Sequence, residues 1–202
     1  MSPAFVGRRH PGDNRRVGSR TTILPAAVAL LFSAAPPAQA QDLADFSSRG
    51  LPRSDGFIVR LQHPAAWKEV EPDDALALAE LRGPQGSLTG ILQVARGQQR
   101  GDMSAVCHPQ RAQTMLRDLT SREPGTRVTD VLARMHQGRQ AFEIRYERRT
   151  DPGFLRVRSL ILCLRDSRLV VSCGGAGEAK AALGAIEPVC DRVLRSVDVV
   201  ED

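Results

Sequence analysis

The sequence predicts an α+β domain with a mostly antiparallel central sheet of about six to seven strands and helices packed on it, an α/β/α sandwich. Short apolar or alternating segments follow one another with tight turns between them, which makes most neighbouring strands antiparallel. Residues 160–164 (LILCL) are apolar at every position, as in a central strand covered on both faces. Two helical patterns, at residues 109–121 and 178–196, provide that cover.

Residues 1–40 have the pattern of a secretory signal peptide. Five arginines precede an apolar run at residues 23–35, and the segment ends in Ala38-Gln39-Ala40, an A-x-A cleavage site. The run is shorter than the roughly 20 residues that span a bilayer. We therefore expect cleavage after Ala40 and a periplasmic or secreted bacterial protein without a membrane span. General secretion fits better than twin-arginine export, because the residues after each arginine pair do not fit the latter well.

The leader also carries most of the positive charge. The whole chain has a formal net charge of +5, whereas the 162 residues after the leader contain 23 basic and 22 acidic side chains. A nearly neutral domain gives no electrostatic reason to bind nucleic acid. We expect a single domain at residues 56–202, preceded by a flexible N-terminal arm at residues 41–55.

The domain begins with a strand over residues 57–62, which His63-Pro64 ends because proline lacks a ladder donor. Further strands are predicted at 75–81, 88–95, 127–136, 139–149, 155–165, 168–173 and 197–200. Gly83-Pro84-Gln85-Gly86 is the turn between the second and third strands. Along residues 142–147 the apolar side chains alternate with Glu143, Arg145 and Glu147, which predicts one buried and one solvated face.

Both helices contain a proline whose position is informative. Pro109 suits the first turn of the helix at residues 109–121. Pro188 lies inside the segment 178–196 and predicts a bend or a second helical start there. The glycine-rich residues 174–177 precede this segment and are predicted to be a turn. They lack the G-x-G-x-x-G spacing and the lysine of a phosphate-binding loop.

All four cysteines, Cys107, Cys163, Cys173 and Cys190, lie after the leader, so we expect two disulfides in an oxidising compartment. A two-residue turn at 166–167 places Cys163 opposite Val170 and turns Cys163 and Cys173 to opposite faces. This disfavours a bond between those two. We favour Cys163–Cys190 with Cys107–Cys173, because Cys190 is expected over the turn end of the hairpin. No C-x-x-C or Cys/His spacing supports a zinc site, and no cofactor or metal is expected.

The order of elements resembles the Mog1/PsbP-like superfamily, which includes exported bacterial proteins of unknown role. The resemblance lies in the opening strand followed by Pro64-Ala65-Ala66-Trp67, and in a closing helix with an internal proline before Val193-Leu194-Arg195-Ser196-Val197. It covers about residues 55–200. It implies the fold, but it carries over no catalytic residue, because fold alone does not transfer function.

Three side chains form a possible ligand face. Trp67 could line a groove, although a core position is favoured. With a four-residue loop at 150–153, Arg145 lies opposite Arg158 and Glu147 opposite Arg156, and like charges in register are unfavourable unless an anion compensates them. Arg145 and Arg158 could therefore hold an anionic ligand. The alternative is a solvated arginine face that Glu143 and Glu147 partly neutralise.

The functional hypothesis is an exported, non-enzymatic binding or accessory protein of the bacterial envelope, with an unknown envelope protein or small ligand as its partner. The histidines have no metal or triad spacing, and G-x-S-x-G is absent. Two alternatives stay open. One is an exported hydrolase or thiol enzyme that uses Cys107 and His108, and the other is an anion-binding module that uses Arg145 and Arg158. The sequence does not determine the oligomeric state.

Overall fold

The computed structural model describes residues 41–52, 54, 56–98, 108, 114, 117, 120–121, 125–164 and 167–201. The predicted leader, Cys107 and most of the predicted helix at 109–121 lie outside these residues. Thr114, Arg117, Thr120 and Ser121 belong to that predicted helix and are helical. None of the helices in the described part of the chain has the length and hydropathy needed to span a membrane.

The described residues form two antiparallel sheets. The larger sheet has seven strands in the order β3-β4-β5-β9-β8-β7-β6. Its strands are β3 Lys68–Val70, β4 Ala77–Gln85, β5 Leu88–Gln98, β6 Thr126–His136, β7 Arg139–Arg149, β8 Phe154–Cys163 and β9 Ser167–Gly177. The α+β prediction and the number of strands in this sheet are confirmed.

The second sheet was not predicted. It contains β1 Leu43–Ser47, β2 Phe57–Pro64 and β10 Asp198–Glu201, with β2 in the middle. The prediction of a flexible arm is therefore wrong for β1, because this mostly polar segment is a strand that pairs with β2. β2 ends at Pro64 as predicted, but it includes His63 and Pro64, and Pro64 occupies the last ladder position, opposite Leu43.

The predicted C-terminal helix consists of two helical parts. A 3-10 helix, η1 Lys180–Ile186, leads into the α-helix α1 Glu187–Arg195, and Pro188 lies in the first turn of α1. The prediction of a second helical start is confirmed. Both helices and the three-stranded sheet contribute to one apolar core on one face of the large sheet, which we call the helix face.

The residues at 174–177 are a strand, not the predicted turn. They extend β9 and pair with β5 and β8. The absence of side chains lets neighbours approach closely: a Cβ on Gly174 would lie 2.4 Å from the carbonyl oxygen of Arg156, and one on Gly177 would lie 2.6 Å from Leu88. These glycines serve packing within the sheet.

Trp67 belongs to the same core and is only 1% exposed. Its ring lies over Gly83 and Gly90, which face each other in the β4–β5 ladder. A Cβ added to Gly83 would lie 2.6 Å from the ring, and one added to Gly90 would lie 2.1 Å from it. The predicted turn at 83–86 is therefore wrong at its start: Gly83 is inside β4, and the hairpin turns at Gly86-Ser87.

Candidate functional site

The helix face changes from apolar to charged towards the β6 edge of the large sheet. One row of ladder partners runs Leu92, Cys173, Arg158, Arg145, Asp130 across five adjacent strands. The next row runs Val94, Val171, Leu160, Glu143, Leu132. Apolar residues thus fill β5 and β9, where the core lies, and charged residues occupy β7.

Glu143 is the centre of this charged region and is 2% exposed. Three guanidinium groups contact its carboxylate. Arg158 approaches Oε1 at 2.7 Å and Arg145 approaches the same oxygen at 3.0 Å, while Arg134 lies 2.9 Å from Oε2. The prediction that Glu143 lies on a solvated face is wrong. Burial removes the hydrogen bonds that the carboxylate would make with water, and the three guanidinium groups provide hydrogen bonds in their place.

The contacts hold the Glu143 carboxylate in its charged form. Burial alone would raise its pKa, but the charge of Arg158 and the hydrogen bonds from Arg145 and Arg158 outweigh burial, so the pKa of Glu143 lies below its ordinary value. Desolvation alone would lower the pKa of Arg145, but the hydrogen bond to Glu143 and the negative charges around it together outweigh desolvation, so this pKa is raised. The two side chains therefore stay ionised at neutral pH.

Helix α1 borders this region with acidic side chains. Asp191 lies 3.3 Å from Arg158 and 2.9 Å from Arg195 one turn further along the helix. Glu187 lies 3.6 Å from Arg156. The helix is thus attached by ion pairs to β8 beyond the limit of the apolar core.

A second acidic side chain of β7 closes the cluster towards η1. Glu147 accepts a hydrogen bond of 2.5 Å from Arg156, its predicted ladder partner, and lies 2.9 Å from Lys180. These two hydrogen bonds lower the pKa of Glu147 below its usual range.

We call the surface between α1 and the β6 edge the charged shelf and define it by Leu132, Arg134, Glu143, Arg145, Arg158 and Asp191.

The register that places Arg145 opposite Arg158 and Glu147 opposite Arg156 is confirmed. The anion between Arg145 and Arg158 is Glu143 of the same chain. Binding of an external anion to this pair stays a prediction. Trp67 is not part of the surface: it packs over β4 and β5, and β9 and β8 lie between these strands and Arg145 on β7.

The predicted disulfide pairing is wrong. Cys173 is bonded to Cys190, with 5.3 Å between their Cα atoms. The hairpin turns one residue earlier than predicted, so Cys163 pairs with Arg168 in the ladder, not with Val170. This shift of two positions preserves the faces. Away from α1, Cys163 packs against a second apolar cluster, which consists of Phe142, Ile144 and Ile161. Cys163 is disulfide-bonded as well.

Two of the described histidines, His63 and His136, contact backbone carbonyl groups. Nδ1 of His63 lies 2.9 Å from the carbonyl oxygen of Pro64, and Nε2 of His136 lies 2.7 Å from that of Val197. In the described ranges no group of three His, Cys, Asp or Glu side chains could hold a metal ion.

Sequence reasoning missed the buried position of Glu143 and the role of Asp191. A signal was present for the first: Arg158 adjoins the apolar run that begins at Leu160, and a guanidinium beside such a run needs a buried anion. No comparable signal exists for Asp191, because its contact depends on where α1 lies over the sheet.

No protein-family model matches this chain, and no curated protein matches it by sequence. Solved structures do match. The Ran-binding protein Mog1p of Saccharomyces cerevisiae has a TM-score of 0.56 at 11% identity, covering 80% of this chain and 97% of its own. The chain has the Mog1/PsbP-like fold. The resemblance predicted from the sequence is thereby confirmed.

Two further structures share the Mog1/PsbP-like fold. LpqN, involved in cell envelope biogenesis of Mycobacterium tuberculosis, has a TM-score of 0.52 at 14% identity and covers 79% of this chain and 92% of its own. The cyanobacterial PsbP protein CyanoP of Synechocystis sp. PCC 6803 has a TM-score of 0.50 at 15% identity, covering 84% of this chain and 99% of its own. At these identities the similarity establishes the fold alone.

Proposed function

We propose that this chain is an exported accessory domain of the bacterial cell envelope, which binds a partner protein on the charged shelf and catalyses no reaction. The observation that carries the proposal is the arrangement around Glu143. Arg145 is 36% exposed, and its guanidinium is fixed by Glu143 beside Leu132, which is 44% exposed. Fixed guanidinium groups next to an exposed apolar side chain are typical of protein interfaces.

Fixing the guanidinium groups favours binding for an energetic reason. A partner that contacts a free arginine must first restrict its rotamers, which costs about 0.5–1.5 kcal/mol for each side chain. Here Glu143 has already ordered Arg134, Arg145 and Arg158 in the free protein. The N–H groups of Arg134 and Arg145 that do not face Glu143 remain for carboxylate or carbonyl oxygens of a partner, whereas Arg158 is buried and also pairs with Asp191.

Export is supported by the cysteines. Disulfides form and persist in the periplasm and outside the cell, and they are rare in the cytosol. Cys163, Cys173 and Cys190 are all disulfide-bonded. LpqN, which shares the fold, is involved in cell envelope biogenesis, and Mog1p shows that the fold occurs in a binding protein.

A role without catalysis is supported by the bonding of the cysteines and by the contacts of two histidines. Bonded cysteines supply no thiolate, and His63 and His136 contact backbone carbonyl oxygens, not a nucleophile. The alternative thiol enzyme depends on Cys107, which lies outside the described residues, and on His108. It stays a separate hypothesis that a thiol count decides.

The proposal is tested by photo-crosslinking in the periplasm. A photoreactive amino acid is placed at Arg195, which borders the shelf through Asp191 and whose side chain is 75% exposed, or at the control position Leu76, which is 54% exposed on another part of the surface. We expect an adduct with a second protein from position 195 and not from position 76. Equal labelling at both positions, or no adduct from position 195, would contradict the proposal.

A further inference from the structure

Strand β6 is the outer strand of the large sheet, and no other strand in the described ranges pairs with its free side. Its inner side pairs with β7 over almost its whole length. A long edge strand leaves a row of N–H and C=O groups that another strand can use. The opposite edge, β3, is three residues long and offers little backbone for such pairing.

The regular part of β6 carries few features that prevent edge pairing. A bulge lies between Val128 and Asp130, and from Asp130 to His136 the ladder is regular. Leu132 and Met135 are exposed in this segment, Met135 to 63%. Its charged residues, Asp130 and Arg134, have opposite signs, so they do not repel a strand of complementary charge.

The segment is complementary to itself when it runs antiparallel. If Leu132 lies opposite Leu132 of a second copy, Asp130 lies opposite Arg134 of that copy, and by symmetry Arg134 lies opposite its Asp130. A shift of two residues in either direction moves both acid–base pairs out of register. One register is therefore favoured, and it produces the closed two-fold interface that is commonest among oligomers.

Both charged side chains have hydrogen-bonding capacity left for this contact. Arg134 uses one terminal nitrogen on Glu143 and its side chain is 30% exposed, which leaves the other terminal nitrogen for a carboxylate of a second copy. Asp130 lies opposite Arg145 in the ladder, and its charge acts on the Arg145 guanidinium without a salt bridge or hydrogen bond between these two described side chains. A second copy would supply Asp130 with a directly paired guanidinium.

We infer that β6 pairs antiparallel with β6 of a second copy of this chain, with Leu132 on the two-fold axis, which joins the two large sheets into one. The inference does not depend on the proposed function. It brings the two charged shelves next to each other across the axis.

Sedimentation of the chain after removal of the leader tests the dimer. From roughly 1 to 200 µM protein we expect the mass to rise from monomer towards dimer. Asp130→Lys places like charges opposite each other twice and should weaken association at least about tenfold. Glu69→Lys makes the same charge change on the exposed face of β3, at the opposite edge, and should leave association unchanged. A wild-type monomer at the highest concentration, or equal effects of both substitutions, would overturn the inference.

Cysteine crosslinking tests the register independently of charge. Opposite residues of paired strands have Cα atoms about 4.5–5.5 Å apart, within reach of a disulfide. Leu132→Cys should therefore give a covalent dimer on mild oxidation. Met135→Cys lies three residues from the axis, so its copies would be about 20 Å apart and should stay uncrosslinked. Crosslinking at position 135 and not at 132 would exclude the register.

Discussion

Arg158 lies directly opposite Cys173 in the β8–β9 ladder, and the two side chains reach adjacent residues of α1. Arg158 pairs with Asp191, and Cys173 is bonded to Cys190. One covalent bond and one ion pair therefore attach the helix to the sheet side by side. The disulfide lies in the apolar core, and the ion pair marks the point where the charged shelf begins.

Removal of this disulfide should lower stability without changing the fold. The bond closes a loop with a sequence separation of 17, for which the loss of chain entropy in the unfolded state predicts about 3 kcal/mol. Chemical denaturation of the double variant Cys173→Ala/Cys190→Ala should show a loss of this size. An unchanged denaturation midpoint would indicate that the bond contributes nothing to stability.

Glu143→Gln should destabilise the protein by about 2–4 kcal/mol, because three arginines lose the charge that compensates them. The change keeps the size of the side chain, so packing is preserved. Urea denaturation measures the effect. Glu69→Gln is the matched control on the exposed face of β3 and should stay within about 0.5 kcal/mol of wild type. Equal effects of the two substitutions would contradict the role of Glu143.

Stability should fall in acid. The pKa values of Glu143 and Glu147 are lowered in the folded state. Their contribution is therefore present above the unfolded pKa of about 4.3 and is lost as the pH falls through the folded values. Thermal unfolding between neutral pH and about pH 3 should show this loss. In Glu143→Gln the melting temperature should fall less steeply as the pH is lowered. An equally steep decrease would argue against Glu143 as a cause.

Gly90→Ala should be strongly destabilising, because the new Cβ would lie 2.1 Å from the ring of Trp67. Gly83 bounds the same ring, so the indole cannot move towards it, and we expect a loss of about 3 kcal/mol. Gly184→Ala is the control, since a Cβ there meets nothing within 4 Å. Thermal unfolding of both variants makes the comparison. Similar melting temperatures would show that Trp67 does not need the glycine pair.

The sequence predicted what depends on local pattern. The turn at 150–153 determined the β7–β8 register and so the position of Arg145 opposite Arg158. Pro188 predicted where α1 begins, because proline is tolerated only in a first helical turn. The alternation of Phe57, Val59 and Leu61 predicted β2 as a strand, but a period of two does not tell which sheet a strand joins.

The features that sequence missed depend on how the elements pack together. The partner of Cys190 is decided by the strand that α1 lies over, which no local pattern records. Burial of Glu143 requires arginines from β6 and β8 as well as from β7. The glycines at 174–177 resembled a turn by composition, whereas close approach to Arg156 and Leu88 keeps them in β9.

The proposed function of an exported binding domain requires that the cysteines stabilise the fold and take part in no chemistry. Mass spectrometry of the protein purified from the periplasm and alkylated under denaturing conditions tests it most directly. We predict that none of the four cysteines is alkylated without reductant and that all four are alkylated with it. A free thiol without reductant, above all at Cys107, would contradict the claim and favour the thiol enzyme.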